Sequence, residues 1–290
     1  MSAAEATAPA GGVALRHRRT FSSRFFRSEL RLVFGRRRNQ VGLAVLAAVP
    51  VLISIAIKTS ASNPQQGAPD FFGSITQNGL FLALAALTIE LALFLPIAIS
   101  AIAGDAVAGE ANTGTLRYLL TVPVARTRLL AVKFAAIAVG AMAAAFVVSL
   151  TGIVMGLILF GGGDVVLLSG STASFWDGLL RVLGATVYIG IGLSALGAVG
   201  LFFSTLTEQP IGAMIATVIF STASYIADTV PQISWLHPYL IIHNWMAYVD
   251  LLRDPISWSQ MGNGLWVALG YGVVFWLLAW ARFGRKDVTS

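Results

Sequence analysis

The chain has 290 residues, of which 57% are hydrophobic and 11% charged, whereas a soluble domain typically carries about 25% charged residues. With a mean hydropathy of +0.79, this balance excludes an ordinary soluble protein and belongs to an integral membrane protein. The absence of cysteine excludes disulfides and thiolate metal sites. The net charge of +6 points to orientation in a membrane rather than to nucleic acid, because most basic residues flank apolar runs.

Residues 1–20 read as a flexible cytoplasmic tail. No apolar run follows the early charges, so no cleavable signal peptide is expected. Residues 21–38 carry Phe26, Leu30, Val33 and Phe34 at i, i+4, i+7 and i+8, a helical stripe. Arg24, Arg27 and Arg31 share another face. This pattern predicts an amphipathic helix lying on the inner leaflet, with its arginines on anionic headgroups.

A hydrocarbon core about 30 Å thick needs roughly 20 apolar residues of helix. Six stretches within residues 39–282 qualify: Val41–Ile57, Leu80–Ala103, Leu129–Phe160, Leu179–Phe203, Ile211–Ala227 and Leu265–Ala281. Period-two alternation is absent, so the fold class is all-α, a polytopic bundle of six spans. Pro50 and Pro96 lie inside spans one and two and are expected to kink them. Glu90 sits near the middle of span two. A charge at that depth costs about 3 kcal/mol on insertion scales, which leaves two readings: a group lining a polar pathway, or a neutral acid bonded to a neighbouring helix. Gly190, Ser194 and Ala198 in span four, and Gly212 and Ala216 in span five, form small faces for close helix approach, either packing within the subunit or a contact between subunits.

Placing the N-terminus in the cytoplasm puts sixteen lysines and arginines inside and only Lys58, Arg181 and Arg253 outside. The positive-inside rule then sets both termini, including the tail 283–290, in the cytoplasm. The outer loop 228–264 is rich in Trp and Tyr (Trp235, Tyr239, Trp245, Tyr248, Trp258). Its short apolar runs predict one or two interfacial or re-entrant helices. His237 and His243 lie beside those tryptophans without the spacing of a metal site.

The cytoplasmic loop 104–128 interrupts the apolar pattern with Asp105, Glu110, Gly114, Arg117, Pro123, Arg126 and Arg128. Gly114 should stop a helix, Thr115 can cap a new turn, and Pro123 should end it. Leu116, Leu119 and Leu120 give that short helix one apolar face. Thr127 can cap the start of span three.

The stretch "GEANTGTLRYLLTVPVARTRLLAVK" resembles the signature of the ABC-2 type permeases, the membrane subunits of ATP-driven transporters. The match is carried by Glu110, Gly114, Thr115, Leu116, Leu119, Leu120, Pro123, Arg126 and Lys133. The ending "ARFGRKDVTS" is similar to that family's usual end. The resemblance is motif-specific over about thirty residues; beyond them it rests on the six spans, the basic N-terminal helix and the long outer loop. It implies that the 104–128 loop is a coupling helix seated on a separate ABC ATPase subunit, with Arg117 helping to position it. It also implies that a second permease, identical or similar, completes an export pathway. The chain has no Gly-Lys pair and so no Walker A loop; ATP hydrolysis is therefore expected in a partner chain, and no cofactor is expected in this one. Sixteen arginines against three lysines, with abundant alanine, read as a GC-rich bacterial genome, and the expected place is a bacterial cytoplasmic membrane. Two other functions stay open on the residues alone: a non-transporting membrane anchor or sensor for a soluble partner, and a membrane-embedded lipid-modifying enzyme. A cluster of acids, His or Ser near an interface would mark the enzyme, and none stands out.

Overall fold

The computed structural model describes residues 23–60, 78–114 and 126–284. Helix α1 (Ser23–Gly35) is followed after Arg36 by α2 (Arg37–Ser60). Next come α3 (Leu80–Leu91), α4 (Phe94–Asn112) and the 35-residue α5 (Arg126–Phe160). The remaining long helices are α6 (Phe175–Leu206), α7 (Pro210–Asp228) and α8 (Ser259–Gly284). Among the described residues, six helices (α2, α4, α5, α6, α7 and α8) are long and apolar enough to cross a membrane. The protein is thus a mostly helical, multi-pass membrane protein. At 1.5 Å per residue α5 is about 52 Å long, well beyond a hydrocarbon core of about 30 Å.

The second apolar stretch is two helices rather than one kinked span. Helix α3 ends at Leu91, and Leu93 takes φ −146° and ψ −57° before α4 begins. Pro96 supplies the reason: it lacks the N–H that would bond the Ala92 carbonyl, and its ring crowds that same turn. Helix α2, by contrast, continues through Pro50.

Helix α6 is the hub and packs against α4, α5, α7 and α8. Its small residues let neighbours approach from several sides. A Cβ on Gly190 would meet Met142 of α5, and one on Gly200 would meet Ala103 of α4. At the far end of α6 the buried Ser204 hydroxyl donates to the Gly104 carbonyl (2.7 Å) and accepts from the Val107 and Ala108 amides, 3.0 and 2.9 Å away. One side chain thereby inserts into the backbone ladder of α4 and locks the two helices. The tightest approach joins α3 and α5, where Gly79 and Gly156 touch backbone to backbone and any Cβ would overlap. On α7 the inward face is Ala213, Thr217, Ser221 and Ser224, so Gly212 and Ala216 do not supply the packing within this chain. Gly212 is exposed and Ala216 half-buried.

Between α5 and α6 lies a two-stranded antiparallel hairpin, β1 (Val165–Val166) with β2 (Thr172–Ala173), a small addition to the expected all-α fold. The loop between α7 and α8 forms no α-helix. It is built from three 3₁₀ segments: Pro231–Ile233, His237–Tyr239 and Trp245–Leu252. Prolines at the starts of the first two segments forestall longer helices. Trp235, Tyr239 and Trp258 are exposed, but Trp245 and Tyr248 turn inward. Trp245 lies against Gly192 of α6, and the Tyr248 hydroxyl is 2.5 Å from Thr88 Oγ1 of α3.

Candidate functional site

At the end of the bundle where α4 stops and α5 starts, six charged side chains meet. Lys133, seven residues into α5, is 1% exposed. Its ammonium is 2.5 Å from Glu110 Oε1 on α4 and 3.3 Å from Glu29 Oε2 on α1. One turn away on α4, Asp105 pairs with Arg36 and with Arg38, the latter at 2.8 Å. Arg38 also donates to the Ala101 carbonyl at 3.0 Å. Three acids and three bases balance. Lysine offers three donors, and buried charges are tolerable only when paired and hydrogen-bonded.

The sequence builds this arrangement locally. Helix α1 presents Phe25, Glu29 and Val33 at i, i+4 and i+8; Phe25 and Val33 pack against the core and Glu29 is buried with them. The α1–α2 joint is fixed by side chains that cap the last carbonyls of α1. Asn39 donates to the Val33 carbonyl (2.8 Å) and Gln40 to the Phe34 carbonyl (2.9 Å). On α4, Gly109 leaves room for the Asp105 carboxylate and the Arg36 guanidinium. The amphipathic helix expected over 21–38 is therefore Ser23–Gly35 among the described residues. Arg24, Arg27 and Arg31 are all exposed, and Phe26, Leu30, Val33 and Phe34 are half-buried.

The expected loop 104–128 is narrower than the sequence suggested. Asp105 and Glu110 lie inside α4, which runs to Asn112, because Arg36 and Arg38 hold the first and the buried Lys133 of α5 holds the second. Gly114 then ends the helix in a left-handed turn, φ +71°. Thr115, Leu116, Arg117, Leu119, Leu120 and Pro123 lie outside the described residues. Where the chain returns at Arg126, that guanidinium donates to the carbonyls of Phe283 and Gly284 at the end of α8, at 3.2 and 2.8 Å. Thr127 is inside α5 rather than capping it, and its hydroxyl accepts from Trp280 Nε1 at 2.9 Å. Glu110, Arg126 and Lys133 thus anchor the flanks of residues 115–125 to α1, α5 and α8. Glu29, Arg36 and Arg38, which the motif did not include, complete the anchorage.

Glu90 stands apart from this cluster, one turn before the α3–α4 break. It is fully buried, and neither carboxyl oxygen has a hydrogen-bond partner among the described residues. Among the described residues no bond to a neighbouring helix, one of the two readings of this residue, is made. Among the described residues no cluster of three metal-ligating side chains occurs. His243 instead pairs with Asp228 at 2.6 Å, and His237 bonds the Val230 carbonyl at 3.1 Å.

Residues 44–289 match a family described as a protein of unknown function, DUF2705. The chain belongs to this family. The match begins inside α2 and takes in Glu90, Asp105, Glu110 and Lys133; Glu29, Arg36 and Arg38 precede it. No curated protein matches this DUF2705 member.

Proposed function

We propose that this chain is the membrane subunit of an ATP-driven exporter, paired with a second permease and driven by a separate ATPase through residues 115–125. The observation that carries the reading is the anchorage of the residues on either side of that segment. Glu110 and Lys133 flank it in sequence and form a buried ion pair at 2.5 Å, while Arg126 ties its exit to the end of α8. A short helix is marginal on its own, but one held at both ends by packed helices can pass a push from a soluble subunit to several spans together. The resemblance to ABC-2 permeases runs through these same residues. In this arrangement both termini face the cytoplasm, and the exposed Arg24, Arg27 and Arg31 rest on the inner leaflet. Isolation of the full chain from native membranes tests the reading. A Walker A-bearing ATPase should co-purify at fixed stoichiometry, with a turnover that depends on this chain. A chain that purifies without an ATPase, and whose loss leaves the cell's ATP-dependent export unchanged, would refute it.

A further inference from the structure

At the opposite end of the bundle, the turns between α7 and α8 and the first two turns of α8 enclose an open cavity of about 620 Å³, within the size range of small-molecule sites. Tyr239, His243, Asn244, Gln260, Asn263 and Trp266 line it, and among the described residues no lysine, arginine, aspartate or glutamate does. The walls are fixed from behind. Gln260 and Asn263 are one turn apart on one face of α8. Gly264, on the same helix, lets the Tyr188 hydroxyl and Asn244 come close, and that hydroxyl donates to the Asn244 carbonyl at 2.7 Å. Asp228 holds His243 through Nδ1 at 2.6 Å, which leaves Nε2 for another partner. The Asn244 side-chain amide nitrogen is buried with no partner among the described residues, an unspent donor of the kind that calls for an explanation.

The chemistry of this lining selects one class of ligand. Three carboxamides, each both donor and acceptor, match hydroxyl groups, which are also both. With no lysine or arginine among its described lining residues, and with its one imidazole, His243, already engaged by Asp228, the cavity is poorly suited to a phosphate or carboxylate; with no acid in that lining it is poorly suited to an amine. Trp266 and Tyr239 are 71% and 66% exposed and offer flat apolar faces with polar edges, suited to the C–H face of a sugar ring. We infer that this cavity binds a neutral glycosyl group, either as a free sugar or as the headgroup of a lipid. The inference does not rest on the transport reading, because binding here requires no ATPase.

The test uses the full chain in phosphatidylcholine nanodiscs, with tryptophan emission as the readout. The probes are methyl β-glucoside in solution and monoglucosyl-diacylglycerol in the disc. Saturable binding of at least one is expected. Saturation by methyl β-glucoside identifies a free-sugar site, and saturation by the glycolipid alone identifies a headgroup site. Trp266→Leu, Gln260→Leu and Asn263→Leu should each weaken binding by about tenfold, the scale of one aromatic face or one lost hydrogen bond. Trp258→Leu, exposed but outside the cavity, should leave it unchanged. All these positions except Trp266 and Trp258 keep the full tryptophan signal, so Gln260→Leu and Asn263→Leu decide the matter if Trp266→Leu is hard to read. The inference is overturned if neither probe saturates, if folded Gln260→Leu and Asn263→Leu bind like the parent, or if phosphatidylglycerol gives the same response at equal mole fraction.

Discussion

Lys133 of α5 and Glu110 of α4 are joined at 2.5 Å in a site closed to solvent, with Glu29 of α1 as the second counter-charge at 3.3 Å. Removing the lysine leaves two buried acids facing each other, and breaking a buried pair from one side costs about 3–5 kcal/mol. Lys133→Met should therefore lower the thermal midpoint of the detergent-purified chain sharply. Replacing all three charges together, as Glu29→Gln, Glu110→Gln and Lys133→Met, should recover much of the loss, because apolar or neutral substitutes for a complete buried ion set are often tolerated. A Lys133→Met chain as stable as the parent would show that the cluster bears no structural load.

Close contact between α3 and α5 gives a second prediction. Gly79 and Gly156 leave no space for a methyl group. Gly156→Ala should separate the helices at a cost of about 1–3 kcal/mol, the usual penalty of overpacking. Gly270→Ala on α8 is the control, because its Cβ would meet nothing within 4 Å; alanine there should be neutral or slightly stabilising. Thermal midpoints of the two variants, measured side by side, should move in opposite directions or differ by several degrees. Equal midpoints would contradict the observed packing.

Glu90 yields a third prediction. A fully buried carboxyl with neither oxygen bonded among the described residues costs stability, about 1–3 kcal/mol for an unsatisfied polar group. Glu90→Leu should therefore raise the thermal midpoint. Such costs persist at sites under functional demand, so the same substitution, and Glu90→Gln, should depress ATP turnover by the assembled complex. A Glu90→Leu chain that is more stable and fully active would assign the residue to packing history alone.

Orientation is open to direct measurement because the chain contains no cysteine. Single cysteines at Ser171 and Ser257 should react with an impermeant thiol reagent added to intact cells, and one at the exposed Asn112 should react only after lysis. Labelling of Asn112 from outside would invert the arrangement.

Much of this architecture is visible in the sequence because a bilayer imposes it. Runs of about 20 apolar residues have few folded outcomes other than a span. What escaped were features decided by single residues in three dimensions. Glu29 sits among arginines, and its inward direction shows only when it is read at i+4 from Phe25 and i−4 from Val33. The lone Lys133 at the head of an apolar helix was the signal that buried acids must be near. Gly152-x-x-x-Gly156, a small-residue pair of the kind that packs helices closely, marks the α3–α5 contact in the sequence, but nothing there distinguishes it from the small faces of α6 and α7. Pro231 and Pro238 argued against re-entrant helices in the outer loop. The cavity beside Trp266 had no sequence signature, since it joins turns near residue 240 to one face of α8.

The final prediction concerns Leu119 and Arg117, which the motif places in the short segment between α4 and α5. Its flanks are pinned by Glu110, Lys133 and Arg126, so a change within residues 115–125 should leave the helices intact and affect only what docks there. Arg117→Ala combined with Leu119→Ala removes one charge and one apolar side chain. Losing a few kcal/mol at an interface weakens binding by about two orders of magnitude. The double variant should keep the parent's thermal midpoint yet lose most of the co-purifying ATPase and its stimulated turnover. Lys133→Met should act differently, lowering stability and coupling together, because that residue is buried among α1, α4 and α5. If the Arg117/Leu119 variant recovers the ATPase in full and turns over ATP at the parent rate, contact with the motor lies elsewhere, and the exposed arginine face of α1 becomes the next surface to alter.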